Sequence, residues 1–449
     1  MRTAKTLFTV AVLASISATS ALAQQPKPAP PASAVPPLIA ATDDITRQVS
    51  ALRGLSLIKP FARGLLNRDQ IIKKLRARID KEYSPAELAV EARLLKRLGL
   101  LPADADYLKM LTDLLEEQVA GFYDPFAKEL YVADWLGDDL QRPAMAHEIE
   151  HALQDQHFDL KAFASPLKED GDRQMARSAL VEGDGTAVMF EFVVQSMGLD
   201  LPPDAVASMS QQLISSQAAA ASPALAKAPR FLRDTMTFPY FAGLQFVMAM
   251  RKGKQPWSRI DEVFKSPPES TSQILHPAKY LAHERPAQVT ATSIDALAPG
   301  KELRRDVIGE LEWRLLLETE LGDAEAERAA AGWGGDRLVA WGDDKDGPVA
   351  IVDLSTWDTE DDAVELETAA RHWLAKCSKQ PEPAADKPAI FTTNNESNAL
   401  ERHGRQVLTM IGVPADKRAA IADEVWKKWK VEATAAVETK PSKKKKASK

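Results

Sequence analysis

Apolar residues recur three and four positions apart along most of this chain, the spacing that lines one face of an α-helix. The region from about Thr42 to Ala120 reads as helical. Ile71, Ile72, Leu75 and Ile79 stripe a helix over 69–81, and a second runs over 84–98. In the latter, Ser84, Pro85 and Glu87 read as N-cap, first helical position and capping-box partner. A helix over 104–119 should bury Leu108, Leu111, Leu114 and Leu115. Gly121-Phe122-Tyr123-Asp124-Pro125 then breaks it, and 129–133, rich in Tyr and Val, predicts a short strand. Arg142-Pro143 is expected to open the next helix. Helical spacing returns over 172–196, over the alanine-rich stretch 203–235, and over 238–251.

The pattern changes near Pro299. Beyond it the chain predicts a helix over 305–321, strands over 337–341 and 349–354, a helix over 361–375, a strand over 389–393 and a last helix over 415–429. No repeat of fixed period is visible. The class is α+β, mostly helical. The domain reading is a principal region over 43–298 and a separate accessory α+β domain over 299–435.

The ends read differently. Arg2 and Lys5 precede an apolar run from Leu7 to Ile16, and Ala21-Leu22-Ala23 resembles a cleavage site, so 1–23 is expected to be a signal peptide. That predicts export, to the periplasm or beyond. A Pro/Ala-rich spacer covers 24–42 and a lysine-rich disordered tail covers 436–449. The chain has 449 residues and a net charge of −7. The tail is basic against an acidic body; a solvated, disordered end is the expectation, and weak contact with an anionic envelope surface is the alternative. No basic patch interleaved with aromatics marks a nucleic-acid partner.

Composition narrows the chemistry. One cysteine, Cys377, excludes an internal disulfide and a thiolate zinc site. A metal must therefore use His, Asp or Glu. Three of the seven histidines stand at His147, His151 and His157. His147-Glu148-Ile149-Glu150-His151 is an HExxH pattern, whose i, i+4 imidazoles share one helical face. Glu148 lies about 100° further round, placed to take a proton from a metal-bound water. A catalytic zinc needs a third ligand. Glu182, in Leu180-Val181-Glu182-Gly183-Asp184-Gly185-Thr186, is the leading candidate, from a second helix. His157 is the alternative. On an unbroken helix it would sit about 9 Å beyond His151 and face elsewhere, and Gln154 stands where a turn to reach the metal would favour glycine. Asp155 is a candidate to orient an imidazole.

These segments resemble the zincin superfamily of zinc metallopeptidases (peptidase MA-like), gluzincin branch, and more closely an exported bacterial group. The residues are 121–125, 147–160 and 180–186, with Phe238-Pro239-Tyr240 and 267–280 downstream. The likeness covers about 65–285, and extends less specifically to 332–337. It departs at Gly185, where alanine would be expected.

The resemblance implies a zincin-like catalytic region over 43–298, Zn2+ held by His147, His151 and Glu182, and Glu148 as general base. It also implies an edge strand at 130–133 for an extended peptide. His276, Tyr240 and Tyr280 are candidates for a second oxyanion donor, His276 foremost. The expected function is zinc-dependent hydrolysis of peptide bonds in a peptide or protein substrate. The alternatives are a non-catalytic zinc-containing envelope binding or assembly protein, and a zinc hydrolase acting on a non-peptide amide.

Overall fold

The computed structural model describes residues 37–433, except 119–120, 136–137, 166, 168, 218–222, 254, 344–346 and 348. The expected signal peptide, most of the spacer and the lysine-rich tail lie outside the described residues. No helix among the described residues is long and apolar enough to cross a membrane.

The protein is α+β. Helix α1 (Pro37–Arg53) takes up the last residues expected in the spacer and leads to strand β1 (Ala62–Leu66). Helices α2 (Arg68–Glu82), α3 (Pro85–Arg97) and α4 (Tyr107–Gln118) follow. Both α2 and α3 open on full capping boxes, Asn67 with Gln70 and Ser84 with Glu87. In α4, Leu111, Leu114 and Leu115 are buried but Leu108 is 47% exposed, against expectation.

The segment expected to break the chain is itself a strand, β2 (Gly121–Asp124), paired antiparallel with β3 (Glu129–Ala133). Strand β1 joins β3 in parallel on its other side. The sheet order β1-β3-β2 makes β3 the central strand, with no free edge. An extended peptide therefore cannot pair with 130–133. The edge near the HExxH helix belongs to β2 instead.

Helix α5 (Asp138–Phe158) starts before Arg142-Pro143 and carries Pro143 inside it. It is followed by α6 (Leu160–Ala164), α7 (Gly171–Ser196), α8 (Pro203–Gln217), α9 (Pro223–Lys227) and α10 (Arg230–Met250). Short helices α11 (Ser258–Lys265), α12 (Thr271–Leu275) and α13 (Pro277–Leu281) lead to strand β4 (Gln288–Thr290). Helix α7 is buried along almost its whole length and packs between α5 and α10. It crosses α10 backbone to backbone at Gly183 and Gly243. A Cβ at Gly183 would lie 2.2 Å from the Gly243 carbonyl carbon.

The rest is a six-stranded antiparallel sheet in the order β5-β6-β7-β10-β9-β8. Its strands are β5 (Lys301–Asp306), β6 (Trp333–Gly342), β7 (Ala350–Trp357), β8 (Ala389–Thr393), β9 (Glu396–His403) and β10 (Gln406–Pro414). The helix expected from 305 begins only at Gly309, because 301–306 pairs with β6. Helices α14 (Gly309–Leu317), α15 (Asp323–Ala331) and α16 (Glu360–Ser378) cover one face; α17 (Arg418–Lys428) and strand β11 (Lys430–Glu432), paired with β4, cover the other. Alternate residues of β6 serve the two faces, Leu338 and Ala340 on one, Val339 and Trp341 on the other. The core under the first face continues without a break into the helical region, from Ile79 to Ile411. Residues on either side of 298 thus contribute to this one core, while the second face of the sheet has a core of its own.

Candidate metal centre

Helices α5 and α7 bring three ligand types to one point. His147 and His151 project from one face of α5, one turn apart, and Glu182 faces them from the middle of α7. The Nε2 atoms of the two imidazoles are 2.9 Å apart. Glu182 Oε2 lies 3.1 Å from His147 Nε2 and 3.3 Å from His151 Nε2. All three residues are buried. This buried His-His-Glu group could hold a metal ion. The donor set suits a borderline cation, and Glu182 Oε1 is buried without a hydrogen-bond partner among the described residues.

The electrostatics agree. Burial opposes charge on His151 and Glu182 alike, but each overrides that penalty for the other. Glu182 is held at about 2 and His151 is raised to about 10. His147 is pushed down by burial and by the neighbouring His151, and stays neutral. Each of the two groups thus favours the charged form of the other.

The orientation of His151 comes from a residue whose role the sequence did not reveal. Gln154 Oε1 accepts from His151 Nδ1 at 2.8 Å. The amide is fixed because Gln154 Nε2 donates to Asp184 Oδ2 (2.9 Å) and to the Val181 carbonyl (3.2 Å). The proton is thereby kept on Nδ1, and the Nε2 lone pair is free for a cation. Asp184 is in turn gripped by Arg53 of α1, whose Nε is 2.9 Å from Oδ1. Arg53 also reaches Glu150 at 3.5 Å and Asp261 at 2.8 Å. Asp155 does not orient an imidazole; it accepts from the Tyr123 hydroxyl at 2.7 Å and from Lys128. The i, i+3 spacing of His151 and Gln154 was the available signal.

Glycine at 185 has a structural use. A Cβ there would come within 2.9 Å of His147 Cε1 and 3.2 Å of His151 Cε1. Helix α7 approaches the imidazoles closely because that atom is missing.

Glu148 is buried beside the centre. Its Oε2 accepts from the Tyr123 backbone N–H of β2 at 2.8 Å. Burial raises its pKa to about 7. His157 stands apart: α5 runs unbroken past it, and its Nε2 meets the Ser56 carbonyl at 2.8 Å. Of the three expected oxyanion donors, Tyr240 stacks on His147, with ring centroids 6.1 Å apart. His276 Nε2 is 2.6 Å from Glu310 Oε1 on α14. The Tyr280 hydroxyl donates to the Ser266 carbonyl at 2.8 Å.

A family model described as a domain of unknown function (DUF8575) matches residues 296–422. That span holds the six-stranded sheet and none of the three converging residues. None of the curated proteins compared matches the chain, nor does any of the solved structures.

Proposed function

We propose that the chain is an exported zinc-dependent metallopeptidase that hydrolyses peptide bonds. The observation that carries this reading is the spacing of the three ligand atoms, 2.9, 3.1 and 3.3 Å. A tetrahedral zinc with ligands at about 2.0–2.1 Å sets its donor atoms about 3.3 Å apart. Three protein ligands leave one position for water, as catalytic rather than structural zinc sites do.

When bound, zinc supplies Lewis acidity towards a carbonyl oxygen and makes its water more acidic. The chain's own residues do the rest. Gln154 keeps the His151 proton on Nδ1 through every turnover. Glu148 sits next to the ligands with a pKa near neutrality, the range in which one carboxylate can both take and return a proton. The Tyr123 N–H holds one of its oxygens in place. That N–H points away from β3, so the outer edge of β2 runs alongside Glu148. A peptide adding to that edge would lie across the general base. Of the three oxyanion candidates, Tyr240 is the one whose ring lies against a ligand imidazole, that of His147.

The test is cleavage of a peptide library by the zinc-loaded chain. Turnover lost in Glu148→Gln with zinc retained supports the reading. Zinc bound at one per chain without cleavage of any peptide refutes it in favour of a binding protein.

A further inference from the structure

A narrow cleft opens beside His151. Tyr123, Phe163 and Val181 form its apolar wall, and Arg177 and Ser178 of α7 complete it. Arg177 has no ion pair or hydrogen bond among the described residues. The nearby carboxylates are committed elsewhere: Glu269 is held in a two-point pair by Arg285 at 2.7 and 2.8 Å, and Asp170 pairs with Arg173 at 3.2 Å. The guanidinium carbon lies 5.8 Å from the Phe163 ring centroid, which steadies it without neutralising it. Ser178 is 2% exposed and its hydroxyl is also without a partner among the described residues. Burial pushes the Arg177 pKa down, and an arginine still keeps its charge.

We propose that Arg177 and Ser178 form a carboxylate-binding subsite next to the metal centre, which makes acidic peptides the preferred substrates; this rests on the metallopeptidase reading. Arg177 Nε and the Ser178 hydroxyl are buried without partners among the described residues, and a carboxylate would satisfy both with charge-assisted bonds. Arg177 precedes Glu182 by five residues on α7, about 7.5 Å along the axis. An extended peptide covers that distance in about two residues. The recognised carboxylate therefore belongs to a residue within about two positions of the scissile bond. It is either an acidic side chain or the chain-terminal carboxylate of a short product-side segment.

The experiment uses the zinc-loaded full chain and matched peptides. One series carries Glu against Gln at each of two positions on either side of the cleaved bond. The other carries a free C-terminal acid against an amide, two residues beyond it. The readout is the ratio of kcat/KM for acid over amide. Wild type is expected to show at least a tenfold ratio in one series, and which series identifies the source of the carboxylate. Arg177→Met should bring that ratio within twofold of unity, Arg177→Lys should keep part of it, and Arg177→Glu should move the preference to lysine. A ratio near unity in wild type, or one unchanged in Arg177→Met, overturns the subsite and leaves the peptidase reading standing. If wild type cleaves nothing, binding of the same peptides decides. An acid preference that Arg177→Met removes keeps the subsite and sinks the peptidase reading, and no preference sinks the subsite too.

Discussion

Gly183→Ala separates two physical expectations of opposite sign. Gly183 lies in the middle of α7, and helix propensity alone predicts that alanine stabilises the chain there by about 1 kcal/mol. The crossing with α10 predicts the reverse. The new methyl would lie 2.2 Å from the Gly243 carbonyl carbon and 2.3 Å from its oxygen, whereas ordinary contact begins at 3.4 Å. Opening that gap takes a movement of about 1.2 Å in backbone, not in a flexible side-chain end. Overpacking in a close-packed core costs about 1–3 kcal/mol, and a clash against backbone belongs in the upper part of that range, about 2–3 kcal/mol, so after the propensity gain of about 1 kcal/mol the net expectation is a loss of about 1–2 kcal/mol. Glu182 is the preceding residue, and metal–ligand distances tolerate only about 0.2 Å, so zinc affinity should fall as well. Gly243→Ala should act similarly, because its methyl meets the Ala179 carbonyl oxygen at 2.0 Å. The double variant should lose less than the sum, since the first methyl already parts the helices. Urea unfolding of the metal-free and zinc-loaded chain measures both effects. A Gly183→Ala chain as stable as wild type, with unchanged zinc affinity, would refute the backbone-contact crossing.

Other outcomes follow from the same geometry. Gln154→Leu should weaken zinc binding about 10–100-fold in a chelator competition while leaving the fold intact, because His151 loses the acceptor that orients it. Arg53→Met should destabilise by about 3–5 kcal/mol at pH 7, since Asp184 and Glu150 would remain buried without their cation. Part of that loss should return on acidification. Glu150 is raised above its ordinary value by burial and by Asp184, against the pull of Arg53, so it binds a proton more tightly folded than unfolded. Stability from such a group falls as pH rises through the window above about 4.5. A denaturation series from pH 5 to 8 showing an equal deficit throughout would exclude this. Zinc binding at pH 7 should release about one proton, because His151, at about 10, is charged in the metal-free centre. Titration calorimetry in buffers of different ionisation enthalpy counts it.

The centre was legible in the chain where its chemistry is periodic. Two imidazoles four residues apart share a helix face by geometry alone, and Glu182 stands in a recognisable buried stretch of the next long helix. What surrounds them was not legible, because it depends on contacts distant in sequence. Arg53 reaches Asp184 across 131 positions, and no local pattern announces that. Gln154 read only as a missing glycine, although its spacing from His151 permitted the bond it makes. Asp155 had a similar spacing but faces Tyr123 and Lys128 on the hairpin instead.

The sheets show the same division. The strand at 129–133 was visible in its Tyr and Val, but whether a strand is central or at an edge depends on its partners. Strand β1 arrives from 62–66 to cover the side expected to be open. Gly121 to Asp124 looked like a break because Gly and Asp-Pro punctuate it, yet its pairing with β3 makes it the edge that faces Glu148. Beyond 299, the register of β5 on β6 converted the first residues of an expected helix into a strand. The hairpin of β9 and β10, unassigned from sequence, turns at Gly404 in a left-handed conformation.

His147, His151 and Glu182 are proposed to hold a zinc ion that works with Glu148 on a peptide bond. The most direct measurement is metal content and peptide-library cleavage, on the same preparations of wild type, Glu148→Gln and Glu182→Ala. About one zinc per chain and cleavage are expected in wild type, zinc without cleavage in Glu148→Gln, and loss of both in Glu182→Ala. Cleavage that persists in Glu148→Gln, or zinc held at wild-type affinity by Glu182→Ala, would contradict this proposal.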